Sequence, residues 1–335
     1  MDIGLLTLAR AQGGVFAAGQ ARTYGLTTRD LTRLVGSGDA VRVRQGAYVL
    51  TEVWGEADAM ARLILRTRAV MIGRPGAIAA GPSAVALHGL ELWGVSMDKV
   101  TLHGDVNRVR THTGLTLLPH LRLPEAQPPS DHVPTEAVLD ERAGVVTSVD
   151  GVRAVSVAYA VVQLCVSSGH VVGLVTLDAA LHRKVTTLDE VNSAVASGLV
   201  PATPRQAWHL QQLVKRADPK CESPGETRTR LLLQDLGYAP RSQVALSDVN
   251  GFVARVDFFV DNKIVVEFDG SVKYEGAEGR AALVAEKRRE DRLRAMGLIV
   301  VRLVWSDLEN PERVAEKMRQ ARAQIARQGA GRTAS

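Results

Sequence analysis

The sequence predicts a multidomain protein of mixed α+β and α/β class. It comprises an N-terminal winged helix-turn-helix, a mixed α/β middle region and a C-terminal α-β-β-β-α-β core. Three observations carry this reading. The chain has 335 residues, which at roughly 150 residues per domain gives about two domains with room for a small third. Short apolar-periodic helices punctuated by glycine open the chain, ahead of an alternating run that turns at Gly46. Near its end, three strand-like runs are followed by a helix and a fourth strand.

Composition bounds the function classes. Hydrophobic residues make up 46% and charged residues 23%, ordinary globular usage that excludes a disordered or fibrous chain. The most apolar stretch, Val155 to Val166, is interrupted by Ser156 and Gln163 and stops at Ser167 and Ser168, short of the roughly 20 residues a bilayer requires. No membrane partner is expected. The start, Met1-Asp2, lacks a basic segment followed by an apolar one, so no secretory signal is read and a cytoplasmic location is expected. Cys165 and Cys221 are too few for a disulfide framework and lack structural-zinc spacing. Lys and Arg exceed Asp and Glu by 41 − 36 = 5, a mild excess that points only weakly to a polyanionic partner.

The first region, residues 1–53, reads as three short helices and a wing. Ile3, Leu5, Leu6 and Leu8 start a helix that stops at Gly13-Gly14, and Ala17 to Tyr24 form a second, ended by Gly25. Thr27 and Asp30 have capping-box spacing, and Leu31, Leu34 and Val35 give the third helix one buried face. Val41 to Val49 alternates and turns at Gly46, predicting a two-stranded wing. Arg29 and Arg33 lie opposite the apolar face of the third helix, and Arg42 and Arg44 project from one side of the wing. Outward cations on a recognition helix and wing suit phosphate and base-edge contact; the same motif also serves as a protein-docking module.

The second region, 54–215, mixes helices with strands. Ser83 to Leu90 reads as a helix, and Val100 to His103 and Leu115 to Leu118 as strands. Pro124, Pro128, Pro129 and Pro134 mark an exposed connection. Helices follow at Val155 to Val166, Leu174 to His182, Leu188 to Val195 and Arg205 to Val214. His88, His103, His112 and His120 lack ligand spacing and read as structural or surface residues. Residues 216–227 form a linker that ends by capping a helix.

The third region, 222–330, reads as helix Glu226 to Leu236, strands Gln243 to Leu246, Ala254 to Val260 and Ile264 to Phe268, helix Ala281 to Met296, strand Ile299 to Val304 and a closing helix from Glu312. Period-two alternation puts Glu267 and Asp269 on one face. A two-residue turn would pair Asp257 with Val266, whereas a three-residue Asp261-Asn262-Lys263 loop pairs it with Glu267; the longer loop is favoured. Three acids in an apolar hairpin are costly unless a cation compensates, and hard divalent ions take such oxygen ligands. Glu226 could supply a fourth oxygen. The alternative is a solvated edge balanced by Arg255, Lys263 and Lys273. Lys287 to Arg294 holds five basic and two acidic residues in eight. It is either a solvated face with Glu290 and Arg294 paired or a phosphate-contacting one, with Arg288 and Arg292 as candidates.

Four runs then carry a resemblance: Arg255 to Phe259, Val266 to Tyr274, Glu286 to Leu293, and Gly297 to Arg302. Together they resemble the very-short-patch-repair-endonuclease-like branch of the PD-(D/E)xK nuclease superfamily, over residues 222–310. The resemblance implies a restriction-endonuclease-like core in which Glu226, Asp257 and Glu267 bind Mg²⁺; Asp269, on the same face as Glu267, is a further candidate ligand, and Mn²⁺ is expected as an alternative to Mg²⁺. The family lysine is missing: Asp269 stands two residues after Glu267, leaving Lys273 or Lys287 to replace it in catalysis beside Asp257 and Glu267.

Residues 1–200 resemble the AbiEi-type antitoxins of abortive-infection toxin-antitoxin systems. The carriers are Gly14-Val15-Phe16 with Ala21 to Gly25, Arg42 to Tyr48, and Ser83 to Gly89. That resemblance implies DNA binding with autorepression or toxin neutralisation, so the expected partners are double-stranded DNA and, for neutralisation, a cognate toxin. Two functions are therefore expected as alternatives: a DNA-binding protein with a Mg²⁺-dependent endonuclease-like domain hydrolysing phosphodiester bonds, or a non-enzymatic repressor or antitoxin with a degenerate nuclease fold.

Overall fold

The structure is a computed structural model describing residues 1–121, 144–270 and 276–333. The connection expected around Pro124, Pro128, Pro129 and Pro134 lies outside the described residues, as does Lys273. The chain divides into two compact units, Met1–Lys215 and Arg216–Ser335. The boundary read at residue 53 falls inside a helix, and the one at 215 coincides with the division between the units.

The first unit opens with α1 (Ile3–Ala11), β1 (Val15–Ala17), α2 (Ala18–Thr23), α3 (Thr28–Gly36), β2 (Ala40–Arg44) and β3 (Ala47–Leu50). The Thr27–Asp30 capping box is present: the Asp30 carboxylate accepts from Thr27 N at 2.9 Å, and Thr27 Oγ1 accepts from Asp30 N at 3.3 Å. The sheet has three strands in the order β1-β3-β2 rather than the two expected. The added strand is only three residues long, too short to show a period. Leu5, Phe16, Leu31, Tyr48 and Leu50 close the core of this module, with Phe16 and Tyr48 stacked at 5.2 Å. Val35 departs from its expected place. It is 38% exposed, because a nine-residue helix seats the Leu31–Leu34 line on the core and leaves the adjoining line outside.

Helices α4 (Thr51–Glu56) and α5 (Ala59–Ile72) were not legible in the sequence. α5 packs on β1, β2 and β3 and also on α6 (Gly81–Leu87), so it ties the winged module to the middle region. The middle sheet has six strands: β4 (Ile78–Ala79), β5 (Val100–His103), β6 (Arg110–His112), β7 (Leu115–Leu118), β8 (Val146–Val149) and β9 (Val152–Val155), in the order β6-β7-β5-β4-β9-β8. Helices α7 (Val157–Ser168), α8 (His170–His182), α9 (Leu188–Ala196) and α10 (Pro204–Lys215) come next in the chain. Every residue from Val157 to Cys165 is buried, as expected of a helix apolar all round; it packs against α6, α8, α9 and α10. The helix expected from Val155 begins two residues later, because Val155 pairs with Val146 in the sheet. His103 is a buried pin: Nδ1 lies 2.6 Å from Pro119 O, and Nε2 lies 2.8 Å from Gln163 Nε2. Burial, with the nearby His120, holds its pKa below the ordinary imidazole value.

The second unit runs α11 (Pro224–Asp235), β10 (Arg241–Asp248), β11 (Gly251–Val260), β12 (Ile264–Phe268), α12 (Gly276–Ala295), β13 (Ile299–Leu303), α13 (Trp305–Leu308) and α14 (Pro311–Thr333). The expected α-β-β-β-α-β order is present, the closing helix expected from Glu312 is α14, and the four-residue α13 is added between them. β10, β11 and β12 are antiparallel, and β13 joins β12 in parallel. Two cores form. Phe258, Val260, Ile264, Val266, Leu303, Val314 and Met318 pack together, and Ala254, Val256, Phe259, Val265, Leu293 and Leu298 form the other. Even-numbered residues of β11 thus belong to one core at Val256 and to the other at Phe258. The face switches at Asp257, opposite which Gln243 adopts φ 52°. Simple alternation does not anticipate such a kink.

Candidate functional site

The hairpin between β11 and β12 fixes the acids. Asp261 and Asn262 have φ of 52° and 56°, and Lys263 N donates to Val260 O at 3.1 Å; Asp and Asn tolerate this left-handed region better than most side chains. Val260 pairs with Ile264 and Phe258 with Val266, so the loop has three residues and the next step sets Asp257 opposite Glu267. Asp257 Oδ2 accepts from Phe268 N at 2.9 Å.

Two further elements complete the cluster. Ser223 caps α11, and Glu226 turns back so that Oε1 accepts from Ser223 Oγ at 2.9 Å and Oε2 from Glu222 N at 3.1 Å. The left-handed kink at Gln243 brings its Nε2 to 2.8 Å from Glu226 Oε2 and 3.5 Å from Asp257 Oδ1. Strain of this kind in a strand is held only where its surroundings over-determine it; here it links two acids. A Cβ on Gly225 would meet the Phe268 ring at 2.0–2.4 Å. The start of α11 therefore lies flat on that ring, which packs edge-on to Trp305 at 4.9 Å.

The compensating charge is arginine. Arg289 on α12 grips Glu267 bidentately, with both N···O distances 2.9 Å, and holds Glu286 at 2.7 and 3.0 Å. Arg302, the register partner of Glu267 on β13, pairs with Glu286, with Glu290 at 3.1 Å and with Glu267 at 4.0 Å. Burial raises the Asp257 carboxyl above its ordinary value; the Phe268 amide opposes this, and neighbouring Glu226 adds to it. Burial likewise raises Glu267, against the pull of Arg289. Arg289 loses charge preference by burial, but Glu286 and Glu267 outweigh this and hold its pKa above the ordinary guanidinium value.

Glu226, Asp257 and Glu267 thus come together, but around a guanidinium. Each of their carboxylate oxygens has a protein donor within 3.5 Å. Among the described residues no group of three or more His, Cys, Asp or Glu is disposed to hold a metal ion. Mg²⁺ wants near-octahedral oxygens at about 2.0–2.1 Å, and as arranged these carboxylates do not fit it or Mn²⁺.

The other expected site residues scatter. Asp269 is exposed beyond the end of β12, its N–H donating to Leu303 O at 2.8 Å. Lys287 and Arg288 are exposed on α12. Arg292 binds Asp248 at 2.8 and 2.9 Å and donates to the carbonyls of Phe252 and Gly251, bracing the β10–β11 turn. Gln243, Glu286, Arg289 and Arg302 were missed. The Glu286-x-x-Arg289 spacing was a readable helix pair, whereas Gln243 gave no signal.

In the winged module, Arg29 and Arg42 are exposed, and Arg33 is exposed beside Asp30 at 3.0 Å. The expectation that Arg42 and Arg44 share a side fails because a bulge intervenes: Arg42 pairs with Tyr48 but Arg44 with Ala47. Arg44 is half-buried, and its Nη1 donates to Thr113 O at 2.5 Å.

Among the described residues no helix is long and apolar enough to cross a membrane. No curated protein matches the chain. Residues 5–51, the span of the winged module, match the family described as transcriptional regulator, AbiEi antitoxin.

Proposed function

We propose that the chain is a DNA-binding transcriptional regulator of antitoxin type that takes double-stranded DNA as ligand and a cognate toxin as protein partner. On this reading the second unit keeps a nuclease-like order of elements without hydrolysing phosphodiester bonds. The observation that carries the first part is the family match over residues 5–51, on a module whose α3 and wing present Arg29, Arg33 and Arg42 outward. A capped helix with cations on its open side suits entry into a major groove, while wing cations suit the flanking phosphates. For the second part, the support is the bidentate grip of Arg289 on Glu267, which puts a fixed cation where hydrolysis would need an exchangeable one.

The test uses the full chain in two steps. Duplexes are enriched from a random pool in EDTA and their affinity is measured; supercoiled plasmid is then incubated with Mg²⁺ or Mn²⁺. Metal-independent enrichment and intact plasmid are expected. Failure to enrich any duplex overturns the DNA-binding part. Metal-dependent nicking that disappears in Asp257→Asn and Glu267→Gln overturns the second part and leaves the endonuclease reading in its place.

A further inference from the structure

A cleft of about 570 Å³ in the first unit is walled by the start of α2, the wing turn Arg44-Gln45-Gly46-Ala47, and the end of α5 with Arg74. Arg22, Arg44 and Arg74 line it, and among the described residues that line it there is neither Asp nor Glu. This is unlike the second unit, where Arg289, Arg292 and Arg302 each meet carboxylates. Arg44 is held in place from behind. Its Nη1 donates to the Thr113 carbonyl, in the turn between β6 and β7, which fixes the side chain without neutralising it. Arg44 is half-buried, so water screens it incompletely. Burial, and then the Arg74 charge, lower its pKa from the ordinary guanidinium value, as expected of two cations sharing a cavity without an anion. Like charges on one cleft repel each other unless an anion joins them. Alanine and glycine occupy much of the wall, and a Cβ built at Gly19 or Gly46 meets nothing within 4 Å, so there is room for a tetrahedral group. A guanidinium fork matches the oxygens of such a group two at a time.

We propose that this cleft is a phosphate-binding site in which Arg44 and Arg74, with Arg22, take one tetrahedral oxyanion, supplied either by a duplex backbone or by a free phosphorylated small molecule. The site does not rest on the regulator reading, since free phosphate can enter it whether or not the chain binds DNA.

Inorganic phosphate is the probe, titrated into the full chain by calorimetry at constant ionic strength against chloride. Arg74→Met is the principal variant, because Arg74 is exposed and its loss spares the core. Arg44→Met is the second, checked for folding by its thermal transition. Saturable binding of phosphate is expected, weakened by roughly tenfold or more in Arg74→Met, as for loss of a charge-assisted bond. Repeating the titration on the duplex-saturated chain separates the sources. If phosphate is then excluded, the site belongs to a backbone phosphate; if it still binds, to a free ligand. Absence of phosphate-specific binding, or equal affinity in wild type and Arg74→Met, would overturn the proposal.

Discussion

The winged module and the acid cluster of the second unit use the same residue type in opposite ways. In the module Arg29 and Arg42 are exposed, and Arg33 shares only a surface pair with Asp30. In the second unit Arg289 and Arg302 turn inward onto Glu267 and Glu286, and Arg292 turns onto Asp248. Counting basic residues would rank α12 above α3 as a polyanion surface; following their partners reverses the order. A cation engaged with a half-buried carboxylate holds the fold together, whereas one facing water remains available for a phosphate.

The largest expected effect comes from breaking the inward pairing. Arg289→Met should leave Glu267 without its partner and cost about 2–3 kcal/mol, below the full value for a buried pair because Arg289 is partly exposed. The urea midpoint of the second unit, followed by Trp305, checks this. Adding Glu267→Gln should recover part of the loss. A midpoint unmoved by Arg289→Met would show that the pair contributes nothing.

Next in size is Gly225→Ala. Its methyl would sit inside the Phe268 ring contact, and displacing α11 should cost about 1–3 kcal/mol, typical of overpacking. Because Glu226 is the next residue, the substitution should also separate Glu226 from Gln243, visible as a shifted Gln243 side-chain amide resonance. Unchanged stability and resonance would contradict the close approach.

Acidification should distinguish the two units. The pKa of His103 is lowered from 6.5 in the fold, so the unfolded chain takes up the proton first, and the first unit loses stability as pH falls from 6.5 toward the lowered value. Asp257 and Glu267 have pKa values raised from 3.8 and 4.5. The folded second unit therefore takes up protons first, and these two groups add stability as pH falls through the interval above those values. Peptide-resolved hydrogen exchange at pH 7 and 5.5 should show weaker protection in Val157–Ser168 and none of that loss in β11 and β12. His103→Gln should flatten the first response.

Much of this architecture was legible because local signals agreed with the fold. Thr27 and Asp30 announced the start of α3, Val100–His103 and Leu115–Leu118 read as short apolar strands, and the Asp261-Asn262-Lys263 loop set Asp257 against Glu267. What was not legible depended on tertiary packing. β1 and β4 are too short to carry a period, and α5 hides its role as a strut because it is packed on two sides. Val35 looked buried by spacing alone. The candidate site was half legible: the three acids could be read from strand and cap positions, but the cation that satisfies them could not. Arg289 reaches Glu267 only once α12 crosses the sheet, and Gln243 enters only through a backbone kink.

The smallest energies, at the open cations, bear most directly on the central claim that outward arginines of the winged module hold the duplex. The measurement is the slope of log affinity against log salt for an enriched duplex. Removing one phosphate-binding cation should reduce that slope by about 0.9. Arg29→Ala and Arg42→Ala should each lower it by about that amount and weaken binding, while Arg292→Ala, whose side chain is held by Asp248, should leave both unchanged at temperatures where it is folded. Equal slopes in wild type, Arg29→Ala and Arg42→Ala would contradict the account.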